Sequence, residues 1–143
     1  PILQRNPSPV VEQTHNLAGF QSFNDLTSSP FIGAFWENYV ISQWIRWQNW
    51  HMPVASLWFW QDRTKNEVDL LIELNQKIYP VECKYKEVPR KSDCNGIKKL
   101  IDMYGKTNVG KGFIACLTKS NFNIIDDITA INGWDVWALD NFS

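Results

Sequence analysis

The stretch from Glu67 to Lys86 limits most sharply how this chain can fold, because two arms of alternating polarity flank a short polar break. In the first arm Val68, Leu70, Ile72 and Leu74 fall on one face and Glu67, Asp69 and Glu73 on the other, with Leu71 out of phase. The pattern predicts a half-buried strand. In the second arm Tyr79, Val81, Cys83 and Tyr85 form the apolar face, and Glu82, Lys84 and Lys86 the polar one. Asn75-Gln76 between them suits a tight hairpin turn. A loop of those two residues pairs Leu74 with Lys77, and counting back along both arms sets Asp69 opposite Glu82, with Cβ atoms roughly 5 Å apart.

Two carboxylates facing each other repel unless something positive lies between them. Lys84 is one candidate and a hard divalent cation is the other. Oxygen ligands from two carboxylates, completed by a backbone carbonyl and water, suit Mg²⁺ or Mn²⁺. The hairpin thus admits a site in which Asp69, Glu82 and the Cys83 carbonyl hold a metal while Lys84 positions water or stabilises charge. The same alternation also fits a solvent-facing sheet surface with charges scattered on it.

Gly33 to about Asn49 predicts a helix, with no internal Gly or Pro. At about 100° per residue, Gly33, Trp36, Val40, Ile41, Trp44, Ile45 and Trp47 gather on one arc, opposite Asn38, Ser42, Arg46 and Asn49. Glu37 falls near the centre of the apolar arc. A carboxylate there must be paired, protonated or bound to a cation, since burying a bare charge costs several kcal/mol. It becomes a third inward carboxylate beside the hairpin pair. The tryptophans at helical spacing read as core rather than as base-stacking groups.

Ser56 to Gln61, aromatic and β-prone, predicts a strand leading into the hairpin. Pro89 ends the second arm. Ser92 or Asp93 then caps a helix through Tyr104, with Ile97, Leu100, Ile101 and Tyr104 inward and Gly105 closing it. Gly112 to Leu117 is a continuous apolar run, expected as a central strand buried on both faces. Ile124 to Ile131 and Trp134 to Leu139 predict shorter strands around an Asn132-Gly133 turn. Gly105 to Lys111 follows the first seven positions of the phosphate-loop pattern, but Gly112 stands where Ser or Thr is required, and the segment leads from helix to strand rather than the reverse.

A chain of 143 residues with 20% charged and 44% hydrophobic residues makes one folded domain. No apolar run approaches the ~18 residues of a membrane span. Three cysteines without CxxC spacing point to the cytoplasm. The start at Pro1 without Met, and the Pro-, Asn- and Ser-rich stretch to residue 32, read as tail and loops with one short helical turn around Phe23 to Leu26. Residues 1–14 are expected as a tail or linker from a missing N-terminal part, and 15–143 as the domain.

The net charge of −1 argues against a generally basic nucleic-acid binder. Its distribution differs: from Lys84 to Lys99, six basic residues stand against Glu87 and Asp93. This surplus follows directly on the carboxylate hairpin, where Lys86, Arg90, Lys91, Lys98 and Lys99 would draw in a phosphate backbone.

The order helix, three strands, helix, strand, with an inward Glu on the first helix, Asp at the second strand and Glu-x-Lys in the third, resembles the PD-(D/E)XK nuclease superfamily. Gly33-Ala-Phe-Trp-Glu37-Asn-Tyr-Val40, Glu67-Val-Asp69 and Pro80-Val-Glu82-Cys-Lys84 look more narrowly like the C-terminal nuclease-like domain, of unknown function, of prokaryotic AAA-type ATPases. The superfamily name implies a Pro before the first Asp, where this chain has Val68. The resemblance implies an α/β, restriction-endonuclease-like core, with a mixed central sheet flanked by helices. It also implies metal ligands at Asp69 and Glu82, a catalytic lysine at Lys84, a helix-borne acid at Glu37, and an N-terminal ATPase in the parent chain. The expected activity is metal-dependent cleavage of DNA, with a non-cutting DNA- or protein-binding module as the alternative.

Overall fold

The computed structural model describes the backbone of residues 2–5 and residues 25, 27–51 and 54–136. Among these the chain runs β1 (Ile2–Arg5), α1 (Ile32–His51), β2 (Ser56–Gln61), β3 (Glu67–Leu74) and β4 (Lys77–Cys83). A short 3-10 turn (Lys91–Cys94) then leads into α2 (Asn95–Tyr104), followed by β5 (Gly112–Cys116), β6 (Phe122–Ile125) and β7 (Ile128–Asn132). The seven strands form one mixed sheet in the order β1-β2-β3-β4-β5-β7-β6. The first four are antiparallel neighbours, β4, β5 and β7 run parallel, and β6 folds back on β7. The class is α/β, as expected.

Each face of the sheet is covered by one helix, which is why its inner strands are apolar on both sides. Trp36, Val40, Ile41, Trp44 and Trp47 of α1 pack on Leu70, Ile72, Val81, Phe113 and Ala115. Ile97 and Leu100 of α2 pack on Trp60, Val68, Leu71, Ile114 and Ile128 on the other face. Each fully buried large apolar side chain contributes roughly 1.5–3 kcal/mol. Among the described residues no helix is long and apolar enough to cross a membrane.

The β3–β4 hairpin has the expected register, from Leu74↔Lys77 to Leu70↔Val81. Asn75 and Gln76 both take positive φ, 51° and 65°, as a two-residue turn matched to strand twist requires. The face assignment of β3 departs from simple alternation. Against β2, Trp58 pairs with Leu71 but Trp60 with Val68, so Asp69 and Leu70 together oppose Phe59. This bulge moves Val68 from the face of Leu70 to that of Leu71, and Leu71 is apolar because α2 covers its face. The strand is buried on both faces from Val68 to Ile72, not half-buried.

Other elements also shift. Strand β4 ends at Cys83 rather than at Pro89, because Lys84 to Val88 bend away with the Lys84 N–H still donating to the Ala115 carbonyl at 2.9 Å. Neither Ser92 nor Asp93 N-caps the α-helix: Asp93 is the third residue of the 3-10 turn and reaches back to accept the Arg90 N–H at 2.6 Å, and the α-helix proper starts at Asn95 behind Cys94. Gly105 closes α2 at φ 82°. The last hairpin turns at Asp126-Asp127, with Asp127 at φ 65°, and not at Asn132-Gly133. Asp tolerates the left-handed conformation that such a turn demands. Trp134–Val136 form no strand, and the rest of that expected strand lies outside the described residues. The helical turn around Phe23 to Leu26 lies, Asp25 apart, outside them too. Ile2–Arg5, expected in a tail, pair antiparallel with β2 along the sheet edge.

Candidate functional site

The hairpin ladder stops at Leu70↔Val81, and the next residue of β3 is the bulged Asp69. Its Oδ2 accepts the Cys83 backbone N–H at 2.7 Å, filling a ladder position with a carboxylate. On the facing strand, Glu82 Oε1 accepts a hydrogen bond from Lys84 Nζ at 2.7 Å. Asp69 and Glu82 are only 8% and 7% exposed, so the solvent-facing reading of these two acids fails. Glu82 lies on the face of β4 opposite Val81 and Cys83, the face that α2 covers and that alternation alone had left open. Glu82 Oε2 is buried with no hydrogen-bond partner.

Glu37 enters from the first half of α1 and completes the group. Burial, and then the charges of Asp69 and Glu67, push its carboxyl up to about 7. Glu82 is likewise pushed up to about 7, by burial first and then by Asp69, against the opposing pull of Lys84. Burial also raises Asp69, despite the Cys83 N–H and Lys84. Lys84 loses hydration through burial, but its bond to Glu82 and the charges of Glu82 and Asp69 hold it cationic, above the usual lysine value. One lysine is thus set among three carboxylates that it cannot neutralise. The Cys83 thiol is buried and held protonated, its pKa raised first by desolvation and then by Asp69, so Cys83 has a backbone carbonyl rather than a thiolate to offer a cation.

The structure therefore brings Glu37, Asp69, Glu82 and Lys84 together, with Cys83 between them. Among the described residues no three His, Cys, Asp or Glu side chains are arranged to hold a metal. Two carboxylates and a backbone carbonyl are oxygen donors of the kind Mg²⁺ takes together with water, and Glu82 Oε2 is a buried acceptor without a hydrogen-bond partner.

Residues 32–136 match the profile of a family described as a domain of unknown function, DUF4143. The chain belongs to this family. No curated protein matches it. The DUF4143 match runs from α1 to just past β7 and takes in every residue of the carboxylate–lysine cluster.

The basic residues are less uniform in the DUF4143 domain than their spacing implied. Arg90 and Lys91 are exposed at the 3-10 turn, and Lys98 and Lys99 on the outer side of α2. Lys86 is instead engaged, its Nζ donating to both oxygens of Asp93 at 3.0 Å, which ties down the loop after Lys84. Two residues join the site that sequence reasoning had not assigned to it. Glu67, at the exposed mouth, raises Glu37, Asp69 and Glu82, and Asp93 adds to the field that holds Lys84 charged. Glu67 was signalled by its place two residues before Asp69; Asp93 was visible only as a cap.

Proposed function

We propose that this domain is a metal-dependent phosphodiesterase acting on DNA, built on a restriction-endonuclease-like core and working as the C-terminal part of an AAA-type ATPase. The observation that carries the reading is the buried surplus of carboxylates around Lys84, with Glu82 Oε2 lacking any partner. Buried like charges are costly unless a cation joins them. Structural support comes from the chain order α1, antiparallel β2-β3-β4, α2, β5, which is the order the superfamily resemblance implies. Asp69, Glu82 and the Cys83 carbonyl would hold Mg²⁺ or Mn²⁺, which when bound supplies Lewis acidity toward phosphate oxygen and water.

The protein's own groups have distinct tasks in this reading. Lys84, kept cationic, donates hydrogen bonds to water or to a phosphate oxygen as negative charge grows there. Glu37, with its carboxyl near 7, accepts a proton at neutral pH or orients the Lys84 ammonium. Arg90, Lys91, Lys98 and Lys99 lie exposed on the segment that follows, where a phosphate backbone is attracted.

Calorimetric titration with Mn²⁺ and Mg²⁺, beside cleavage assays on branched, single-stranded and duplex DNA, tests the proposal. Wild type should bind and cut, Asp69→Ala should lose the metal, and Lys84→Ala should retain the metal but lose cleavage. A cleavage rate unchanged in Lys84→Ala would overturn the assignment. The lack of a three-ligand cluster among the described residues favours a second reading, a non-cutting module that positions the ATPase on DNA or on a protein. DNA binding by wild type with neither metal uptake nor cleavage would select it.

A further inference from the structure

Trp134, just past β7, is 49% exposed and yet firmly held. Its N–H donates to Asn132 Oδ1 at 3.0 Å, and its carbonyl accepts the Tyr39 hydroxyl at 3.2 Å. The preceding Gly133 N–H donates to the Cys116 carbonyl at 2.9 Å. The indole stands edge-on to Trp36, centroids 4.8 Å apart, and tilted against Tyr39 at 5.0 Å. A rigid aromatic ring left half in water has already given up its conformational freedom without gaining full burial. That is the condition of a preformed contact surface.

Its place in the fold indicates the ligand. The parallel strands β4, β5 and β7 end along one edge of the sheet, and the chain leaving β4 carries Lys84 and Tyr85 while the chain leaving β7 carries Gly133 and Trp134. Trp36 bridges the two, since it also meets Tyr85 edge-on at 5.8 Å. Tyr85 follows Lys84 and Trp36 precedes Glu37 in the chain, so the aromatic group and the carboxylate–lysine cluster are carried by the same two segments.

We infer that Trp134, backed by Trp36 and Tyr39, is a stacking platform for an unpaired nucleobase of a single-stranded nucleic-acid stretch engaged at the Lys84 site. The inference rests on the phosphodiesterase reading. In a duplex each base face is already covered by its neighbours, so the ring selects a flap, a tail or an opened junction. Every base has a π-face, and the platform reads no sequence.

The test uses the whole chain in EDTA, where nothing is cut. Fluorescence anisotropy follows binding of a fluorescein-labelled oligothymidine and of a labelled duplex of equal length. Wild type should prefer the single strand. Trp134→Ala should weaken single-strand binding about tenfold or more with little change on the duplex, and Trp134→Phe should keep most of it. Matching melting transitions would show that the variants fold. The inference is overturned by Trp134→Ala that binds oligothymidine like wild type, by an equal loss on both probes, or by wild type that binds neither, which would leave the ring to a protein partner. Mg²⁺-dependent cleavage measured with Lys84→Ala separates the two readings. Lys84-dependent cutting with unaltered Trp134→Ala binding ends the stacking inference alone, whereas Trp134-dependent binding without any cutting ends the phosphodiesterase reading alone.

Discussion

Replacing Glu82 with Gln should make the metal-free protein more stable at pH 8 while leaving it little changed at pH 5. The folded chain raises the Glu82 carboxyl from its ordinary 4.5 to about 7, through burial and the neighbouring Asp69. The folded state therefore keeps this proton over a range in which the unfolded state has released it. Stability falls as pH rises from about 4.5 through about 7, and the loss is complete once both states are ionised. A raised carboxyl of this size corresponds to about 3 kcal/mol at pH 8. Glu37 acts in the same direction in the same window, but its greater solvent contact makes its part smaller. Asp62 and Asp93, both lowered in the folded chain, act only at more acid pH. The glutamine amide keeps an acceptor for Lys84 Nζ and removes the charge. Urea unfolding of wild type and Glu82→Gln in EDTA from pH 5 to pH 8 measures the effect. The wild-type curve should fall more steeply with pH by a few kcal/mol; parallel curves, or a wild type that gains stability toward pH 8, would refute the reasoning.

Other outcomes follow from the same geometry. Mn²⁺ at about a hundred times its dissociation constant should stabilise wild type by about 2.7 kcal/mol at pH 8, read as a shift of the urea midpoint, and should leave Asp69→Ala unmoved. Asp69→Asn, which retains an acceptor for the Cys83 N–H, should be more stable without metal than Asp69→Ala, which strands that buried donor at about 1–3 kcal/mol, and neither should take up metal in calorimetry. A Cβ at Gly96 would run into the Glu67 backbone carbonyl, so Gly96→Ala should cost roughly 1–3 kcal/mol by thermal melting as α2 is forced off the start of β3.

Much of the fold could be read locally because its signals were local. The hairpin register followed from a two-residue loop, and α1 from an apolar arc, interrupted by Glu37, that buries Trp36, Val40, Ile41, Trp44 and Trp47. The misses share a different origin. Asn132-Gly133 and Asp126-Asp127 are both plausible turns by composition, and what decides is that β7 must lie parallel to β5, which leaves β6 to come first and fold back. Gly133 serves another purpose, since a side chain there would collide with the Trp36 ring. Four residues at the sheet edge, Ile2–Arg5, carry too little pattern to announce a strand that exists only through its pairing with β2. Alternation set Asp69 directly opposite Glu82, but the ladder stops at Leu70↔Val81 and the bulge turns Asp69 to the Cys83 N–H instead, a shift imposed by pairing with β2 that no local pattern announces.

The bulge in β3 is what joins fold and site. Had the strand alternated throughout, Val68 would lie with Leu70 under α1, and Asp69 with Leu71 under α2, in a layer made of Trp60, Ile97, Leu100 and Ile114. A carboxylate there would face apolar side chains. The extra residue instead returns Val68 to that layer, where an apolar side chain belongs, and frees Asp69 to meet the Cys83 N–H at the point where the hairpin ladder opens. The chain thus satisfies its core and places a charged group at the edge of it with a single insertion, and the same insertion brings Asp69 within electrostatic reach of Glu37, Glu82 and Lys84.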